Sequence, residues 1–240
     1  MKILITGGSS GLGRAIVKLL SNDDNNTIFL TFNCHEEEAK QLELSGNNLK
    51  AIHCDFTIDA SVSKLCEMIP SMDLDVLVNN AYAGKALNNH FHKILPEEFL
   101  QSFQNNLIPT VRITQESIKV FRKKKFGKII NIITSYVINT PPIGCSMYAA
   151  NKAYLLELSK SWSNESAKFN ITSNCISPEL METNLSKDID SRILEQMISA
   201  HPLKKLLTPE EVAETVKFLI ETSQQINGVN IPINAAQNIL

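Results

Sequence analysis

The chain has 240 residues, with 23 Lys and Arg against 25 Asp and Glu, and 43% of its residues are hydrophobic. The net charge of −2 gives no electrostatic case for binding nucleic acid or an anionic membrane. The five cysteines form no Cys-x-x-Cys pair, which predicts free thiols in a reducing compartment and argues against zinc and disulfides. No apolar run approaches the roughly 20 residues that span a bilayer, and a strand predicted at the start leaves no room for a signal peptide. A soluble cytoplasmic protein is therefore expected.

A glycine-rich loop joins the first predicted strand to the first predicted helix. The run Lys2–Thr6 is typical of a buried parallel strand, and an amphipathic helix is predicted from about Leu12 to Leu20. The glycines between them permit a tight turn and a close backbone approach, while the helix start offers unpaired N–H groups to a pyrophosphate. Because strand, glycine loop and helix follow in this order, dinucleotide binding is predicted. The candidate cofactor-binding residues of this loop are Gly7, Ser9, Ser10, Gly11, Leu12 and Gly13.

The spacing of this loop, T-G-x-x-x-G-x-G, resembles the glycine motif of the compact short-chain dehydrogenases/reductases. Strands alternate with helices along the whole chain, which itself predicts an α/β fold, a Rossmann-type doubly wound parallel sheet of about seven strands with helices on both faces. No internal repeat, low-complexity tract or linker interrupts the sequence. A single domain over residues 1–240 is therefore expected, and the resemblance implies that it uses a nicotinamide cofactor.

The residues after the second predicted strand, Thr27–Phe32, bear on the choice of cofactor. An acid there would bind the ribose 2′-hydroxyl of NAD, whereas basic groups would favour the 2′-phosphate of NADP. The chain has neither an acid at the strand end nor an arginine, so NADP(H) is favoured over NAD(H), with Asn33 and His35 as candidate phosphate partners. The glutamates at 36–38 are interpreted as acids that complement the dipole at a helix start.

Asp55 follows the third predicted strand, Leu49–Cys54. In the family, an aspartate at this place binds the adenine amino group, and the resemblance implies that role for Asp55, with Phe56 beside it as a further cofactor contact. A turn or helix-capping carboxylate is the alternative interpretation, because aspartate is common in such turns.

Asn80 and Ala81 follow the fourth predicted strand, Leu74–Val78, and match the family motif Asn-Asn-Ala-Gly. The resemblance implies that both contact the cofactor. Tyr82 stands where the family has glycine, and a tyrosine is expected to crowd the cofactor or to strain the turn. The following Gly84 is expected to supply the missing flexibility.

A serine, a tyrosine and a lysine predict a site of proton transfer. Ser135 follows the predicted strand Gly127–Ile133 and precedes Tyr148 by thirteen residues, and Lys152 lies four residues after Tyr148. Residues four apart share one face of a helix, so the ammonium is expected to favour the phenolate and lower the tyrosine pKa. The serine hydroxyl could share a substrate oxygen with the phenol, as carbonyl or alcohol chemistry requires.

The same three residues match the family's catalytic set. The resemblance implies that Tyr148 exchanges a proton with the substrate, Ser135 binds the same oxygen, and Lys152 also holds the nicotinamide ribose. It further implies that Asn106 holds a water next to Lys152. Asn105 is the rival by one residue, and a capping or packing asparagine near Pro109, where the helix predicted over 96–121 is expected to be interrupted or kinked, is the alternative.

The last third of the chain carries two further matches and two departures. Pro178 and Thr183 correspond to cofactor-binding positions of the family, and residues 179–206 correspond to its mobile substrate lid. Glu179 stands where the family usually has glycine. The last predicted strand is followed by Asn-Ala-Ala at 234–236, where the family tends to have Asp-Gly-Gly.

These features favour an oxidoreductase that moves a hydride between a nicotinamide cofactor and a small carbonyl or alcohol substrate. Among family members the sequence is most similar to the 3-oxoacyl-acyl-carrier-protein reductases. The resemblance also implies a homo-oligomer, a tetramer or dimer built on helices 96–121 and 148–165 and the last strand. A non-catalytic dinucleotide sensor or scaffold is the main alternative, and the lack of an accessible pocket around Tyr148 would favour it. A sugar-nucleotide epimerase or dehydratase is disfavoured by the short chain and the loop spacing.

Overall fold

The computed structural model describes residues 1–181 and 191–237. Within these ranges, seven strands form one parallel sheet in the order β3-β2-β1-β4-β5-β6-β7, which confirms the predicted fold class. The strands are β1 Lys2–Ile5, β2 Thr27–Phe32, β3 Leu49–His53, β4 Val76–Asn79, β5 Gly127–Ile132, β6 Ile171–Pro178 and β7 Asn230–Ile233. The order reverses between β1 and β4, and such a reversal opens a crevice at the carboxyl ends of the strands.

Helices cover both faces of the sheet. In the described ranges they are α1 Gly11–Ser21, α2 Glu36–Leu44, α3 Asp59–Met72, α4 Pro96–Lys124, α5 Ser146–Ser166, α6 Ser191–Ala200 and α7 Pro209–Glu221. Side chains alternate along a strand, so Ile3 and Ile5 pack with α1, α2 and α7, whereas Leu4 packs with α3 and α4 on the other face. The five central strands bury both faces, as expected of a parallel sheet, whereas the edge strands β3 and β7 are partly exposed.

Helix α4 is continuous through Pro109, so the predicted interruption is wrong, and the alternative, a kink, stays a prediction. Pro109 is buried within the helix, where packing against neighbouring elements offsets the hydrogen bond that proline cannot make. The glutamates at 36–38 form the first turn of α2, and the basic run 122–124 forms the last turn of α4, as dipole complementarity predicts.

The departure at 234–236 has a conformational cost. Ala235 and Ala236 have φ values of 49° and 60°, in the left-handed region that favours glycine. This conformation costs an L-residue about 1–2 kcal/mol. Glycine avoids this cost, but its greater freedom in the unfolded chain offsets part of the gain in the free energy of unfolding. We expect Ala235→Gly and Ala236→Gly each to stabilise the protein by about 0.5–1 kcal/mol, measured by urea unfolding.

The matched control is Ala153→Gly, at an exposed position inside α5, which should destabilise the protein by about 1 kcal/mol. Destabilisation by glycine at 235 and 236 as large as at 153 would contradict the assignment of backbone strain.

No helix in the described part of the chain combines the length and the apolar character needed to cross a bilayer. Among the same residues, no group of three or more His, Cys, Asp or Glu side chains is arranged to hold a metal ion.

Candidate active site

The glycine loop lies at the carboxyl end of β1 and leads directly into α1. Gly7 and Gly11 have φ values of 67° and 50°, and a Cβ atom on Gly13 would lie 2.0 Å from the Gly7 carbonyl oxygen. Ser10, the residue before α1, has extended backbone and makes no side-chain cap to any described residue. The first N–H groups of a helix lack partners within it and attract anions. The bare backbone and open helix start fit the pyrophosphate of a dinucleotide.

Asn80 and Ala81 are held against this loop. The Asn80 Nδ2 donates to the carbonyl oxygens of Thr6 (2.9 Å) and Gly7 (3.1 Å). The Thr6 Oγ1 accepts from the backbone N–H groups of Asn80 and Ala81, each at 3.0 Å. The structure therefore joins the ends of β1 and β4 into one surface, which the sequence motifs alone did not reveal.

On the β2 and β3 side, Asn33 and Asp55 come together. Thr57 donates its backbone N–H and its hydroxyl to the Asp55 Oδ1, at 2.8 and 2.7 Å. Burial alone would raise the pKa of Asp55, but these hydrogen bonds, with one from Asn33, outweigh it and hold the pKa below its usual value. Asp55 is thus a turn carboxylate in this structure, and its contact with adenine stays a prediction. Asn33 is exposed, and Phe56 is buried.

The three predicted catalytic residues come together at the carboxyl end of β5. Ser135, Lys152 and Tyr148 are 0%, 6% and 9% exposed. The Lys152 Nζ donates to the Ile132 carbonyl oxygen at 2.7 Å and lies 5.7 Å from the centre of the Tyr148 ring. The Ser135 Oγ is buried and has no hydrogen-bond partner among the described residues. A buried, unpaired hydroxyl is costly, so it marks a place where a ligand oxygen would be stabilised.

Burial has the largest effect on the pKa values of Tyr148 and Lys152. It raises the pKa of Tyr148, with smaller contributions from Tyr82, Tyr136 and Cys145, and it lowers the pKa of Lys152 to about 8. The prediction that the Tyr148 pKa lies below its usual value is therefore wrong for this structure, because burial raises it. The helical spacing correctly placed the two side chains together, but it could not show that both are removed from water.

The lysine pKa leads to a prediction about stability and pH. The unfolded value is 10.5, so between pH 8 and 10.5 the unfolded chain binds more protons, and stability rises with pH across this window. In Lys152→Met this contribution is absent. From pH 7 to 10.5 we expect the unfolding free energy of the parent to gain about 3 kcal/mol on that of the variant, measured by urea unfolding at several pH values.

Lys160→Met is the control, because Lys160 lies exposed on the same helix and pairs with Glu157 at the surface. If Lys152→Met and Lys160→Met change the pH dependence equally, the burial of the Lys152 charge is not the cause.

Asn106 is buried in α4 and faces the loop after β4. Its Oδ1 accepts from the Ala83 N–H at 2.7 Å, and its Nδ2 donates to the carbonyl oxygens of Ala83 and Ser102 at 3.1 and 2.9 Å. The side chain therefore holds the backbone of that loop in place. The predicted role of Asn106 in holding a water beside Lys152 stays a prediction.

Tyr82 does not strain the turn, so that part of the expectation is wrong, and crowding of the cofactor by Tyr82 stays a prediction. The Tyr82 backbone lies outside the left-handed region, whereas Gly84 has a φ of 102°, a conformation that favours glycine. The Tyr82 ring packs edge to face against Tyr148, with 4.9 Å between ring centres. The sequence singled out Tyr82 as a departure but gave no signal of this contact.

Two other neighbours of Tyr148 were not predicted. The Thr134 side chain lies beside the Tyr148 hydroxyl, and the Tyr136 ring centre is 6.3 Å from that of Tyr148. Both residues flank Ser135 in sequence. The turn that contains Ser135 therefore also contains two of the side chains that surround the Tyr148 phenol.

A family model described as Enoyl-(Acyl carrier protein) reductase matches residues 7–235. The chain belongs to the short-chain dehydrogenase/reductase family. It is 32% identical over 236 residues to the 3-oxoacyl-acyl-carrier-protein reductase FabG of Rickettsia felis, covering 96% of this chain and 94% of the relative. It is 30% identical over 220 residues to Carbonyl reductase family member 4 of Xenopus laevis, covering 91% and 90%.

The fold comparison agrees with the sequence comparison. A solved structure of a short chain dehydrogenase/reductase family protein superposes with a TM-score of 0.84 at 26% identity, covering 98% of this chain and 96% of the other. The protein is thus an oxidoreductase of this family that uses a nicotinamide cofactor.

The family's lid region is described only in part. Pro178 ends β6, and the Glu179 N–H donates to the Ile233 carbonyl oxygen at 3.0 Å. The Glu179 Oε2 is buried without a hydrogen-bond partner in the described ranges. Burial raises the pKa of Tyr136, and the Glu179 charge adds to this effect. Thr183 lies outside the described residues, as does part of the predicted lid at 179–206.

The short-chain dehydrogenase/reductase site is closely packed around Tyr148. Two surface cavities of about 330 and 530 Å³ lie elsewhere, one between α4 and the end of α5 and the other between α1 and α7. Neither is lined by Ser135, Tyr148 or Lys152. These two cavities therefore do not test the sensor alternative, and the family membership weighs against that alternative.

Proposed function

We propose that this protein reduces the carbonyl group of a 3-oxoacyl thioester, or oxidises the corresponding alcohol, with NADP(H) as the preferred cofactor. The observation that carries the proposal is the buried Ser135 Oγ, which has no hydrogen-bond partner among the described residues and lies in a turn that contacts the helix of Tyr148 and Lys152. A substrate oxygen would satisfy this hydroxyl and would lie within reach of the phenol. The activity named for the Rickettsia felis relative supports the thioester as substrate.

Ser135, Tyr148 and Lys152 have separate roles at the substrate oxygen. Ser135 donates a hydrogen bond to it, and Tyr148 donates the proton that converts the alkoxide to the alcohol. The raised Tyr148 pKa keeps the phenol protonated at neutral pH, which suits the reducing direction. The Lys152 ammonium, charged below a pKa of about 8, stabilises the phenolate as it forms. When bound, the nicotinamide supplies or accepts the hydride.

The cofactor would lie across the carboxyl ends of β1, β2 and β4. The loop of residues 7–13 would hold the pyrophosphate, and Lys152 the nicotinamide ribose. The absence of an acid at the end of β2 supports NADP(H), with Asn33 and His35 toward the 2′-phosphate. The remaining proposed cofactor contacts are Asp55, Phe56, Asn80, Ala81, Tyr148, Pro178 and Thr183.

We further propose a cytoplasmic homo-oligomer, a dimer or tetramer, with residues 179–206 acting as the substrate lid. Apolar side chains on the outer surfaces of α4 and α5 support this assembly. Leu100, Tyr154 and Ile108 are 59%, 47% and 40% exposed, and Phe218 on α7 is 50% exposed. Exposed apolar surface of this kind is typical of subunit interfaces.

The test is the loss of reduced-nicotinamide absorbance, with NADPH and NADH assayed separately against 3-oxoacyl thioesters and simple ketones. We expect turnover of the thioesters, faster with NADPH than with NADH. Turnover of ketones alone would overturn the thioester assignment, and faster use of NADH would overturn the cofactor preference. Binding of cofactor without turnover of any substrate would favour the non-catalytic alternative.

A further inference from the structure

Tyr82 packs against both members of the catalytic pair. Its ring meets the Tyr148 ring at an interplanar angle of 81°, with the centres 4.9 Å apart, an edge-to-face arrangement that is attractive between aromatic rings. The Lys152 Nζ lies 5.5 Å from the Tyr82 ring centre and 5.7 Å from the Tyr148 ring centre. Both distances fall within the range of a cation–π contact. The ammonium therefore lies alongside two aromatic rings.

The other end of Tyr82 is also held. Its hydroxyl faces Ser102 of α4 and Asn151 of α5. These two residues are bonded to each other, since the Asn151 Nδ2 donates to the Ser102 Oγ at 2.9 Å. The next residue along the loop, Ala83, is held by Asn106 through two hydrogen bonds. The ring is thus fixed by its hydroxyl and by its backbone.

We propose that Tyr82 is a positioning residue, whose ring holds the Tyr148 phenol in place and keeps water away from the Lys152 ammonium. A glycine, which the family has at this position, would leave this volume open. The inference goes beyond the proposed function and rests on it only for its kinetic test. Among the described residues, the titratable groups that face Tyr148 are Tyr82, Tyr136, Cys145 and Lys152, and those that face Lys152 are Tyr82, Tyr148 and Cys175.

Removing the ring is expected to change the ionisation of Tyr148. Since burial is the main cause of the raised Tyr148 pKa, water admitted beside the phenol should lower it. We would compare Tyr82→Gly with Tyr82→Phe, which keeps the ring and loses only the hydroxyl. Each variant is titrated by tyrosinate absorbance, alone and combined with Tyr148→Phe, so that the difference isolates Tyr148.

We expect the Tyr148 step to occur at lower pH in Tyr82→Gly than in Tyr82→Phe. Equal titration in the two backgrounds would overturn the proposal, whether or not the protein turns over any substrate. Thermal unfolding checks that each variant is folded, and Tyr82→Ala replaces Tyr82→Gly if the glycine variant does not fold.

The kinetic test separates positioning from substrate binding. We expect kcat to be about 10- to 100-fold lower in Tyr82→Gly than in Tyr82→Phe, with a smaller change in KM, because misplacing a proton donor affects the chemical step. The pH profile of kcat should shift to lower pH in Tyr82→Gly. A change confined to KM, or equal kcat values and pH profiles, would overturn the proposal. A parent protein without turnover would instead count against the proposed function, while the absorbance titration still decides the role of Tyr82.

Discussion

Gly13→Ala is expected to weaken binding of the reduced cofactor by at least about 100-fold, because its Cβ cannot fit at this position. The added atom would lie 2.0 Å from the Gly7 carbonyl oxygen and 2.8 Å from the Asn80 Nδ2. Neither neighbour can give way easily, since the first is backbone and the second is bonded to Thr6 and Gly7. The start of α1 must therefore move away from the loop, which removes the N–H groups from the position where a pyrophosphate would bind. The measurement is the dissociation constant for NADPH, from the fluorescence of the bound nicotinamide.

Gly46→Ala is the matched control. A Cβ at Gly46 would lie 2.8 Å from the Asn48 Oδ1, the end of a surface side chain that can rotate away. We expect this variant to bind NADPH within about threefold of the parent, since the change lies outside the loop. Unchanged binding in Gly13→Ala would show that the glycine loop is not the cofactor site. Unfolding curves for both variants separate a local effect from loss of the fold.

Tyr148→Phe is expected to lower kcat by about 10²–10⁴-fold, the usual contribution of a positioned proton donor. The substitution removes one hydroxyl and keeps the ring, so the edge-to-face packing with Tyr82 is preserved. The proton for the substrate oxygen must then come from water, which is excluded from this buried position. The measurement is single-turnover oxidation of NADPH with saturating 3-oxoacyl thioester, which reports the chemical step without product release.

Tyr154→Phe makes the same chemical change on the same helix and is the control. Tyr154 lies on the outer side of α5, against Phe103, and is 47% exposed. We expect Tyr154→Phe to retain the parent kcat. Equal losses in the two variants would point to helix packing as the cause, and a retained kcat in Tyr148→Phe would exclude the phenol as the proton donor.

The sequence predicted those parts of the fold that depend on neighbours along the chain. Strand β2 has its predicted bounds, Thr27–Phe32, because a β-branched and aromatic run between turns is a local pattern. The start of α7 follows an equally local rule, since Thr208 and Glu211 form the reciprocal side-chain to backbone hydrogen bonds of a capping box. The predicted interruption at Pro109 was wrong, because the cost of a proline depends on the packing around α4.

The sequence predicted where the site residues lie, but it did not predict the pKa values of their side chains. The offsets between Ser135, Tyr148 and Lys152 correctly placed the three side chains at one strand end, because helix geometry and strand ends are local. The Tyr148 pKa was predicted in the wrong direction, because it depends on burial in the assembled fold and, to a smaller extent, on Tyr82, Tyr136 and Cys145 from three separate segments. No spacing rule contains that information. For the same reason the contact between Tyr82 and Tyr148 emerged only from the assembled fold.

Thr6 anchors more than the turn in which it lies. Its hydroxyl accepts from Asn80 and Ala81, and the next residue, Tyr82, touches Tyr148. The residues that contact the glycine loop and the residue that packs against the Tyr148 ring are therefore consecutive along the chain. A cofactor that orders the glycine loop would therefore also order the backbone that carries the Tyr82 ring. This arrangement favours binding of the cofactor before the substrate, so that the Tyr148 phenol is in position when the substrate binds.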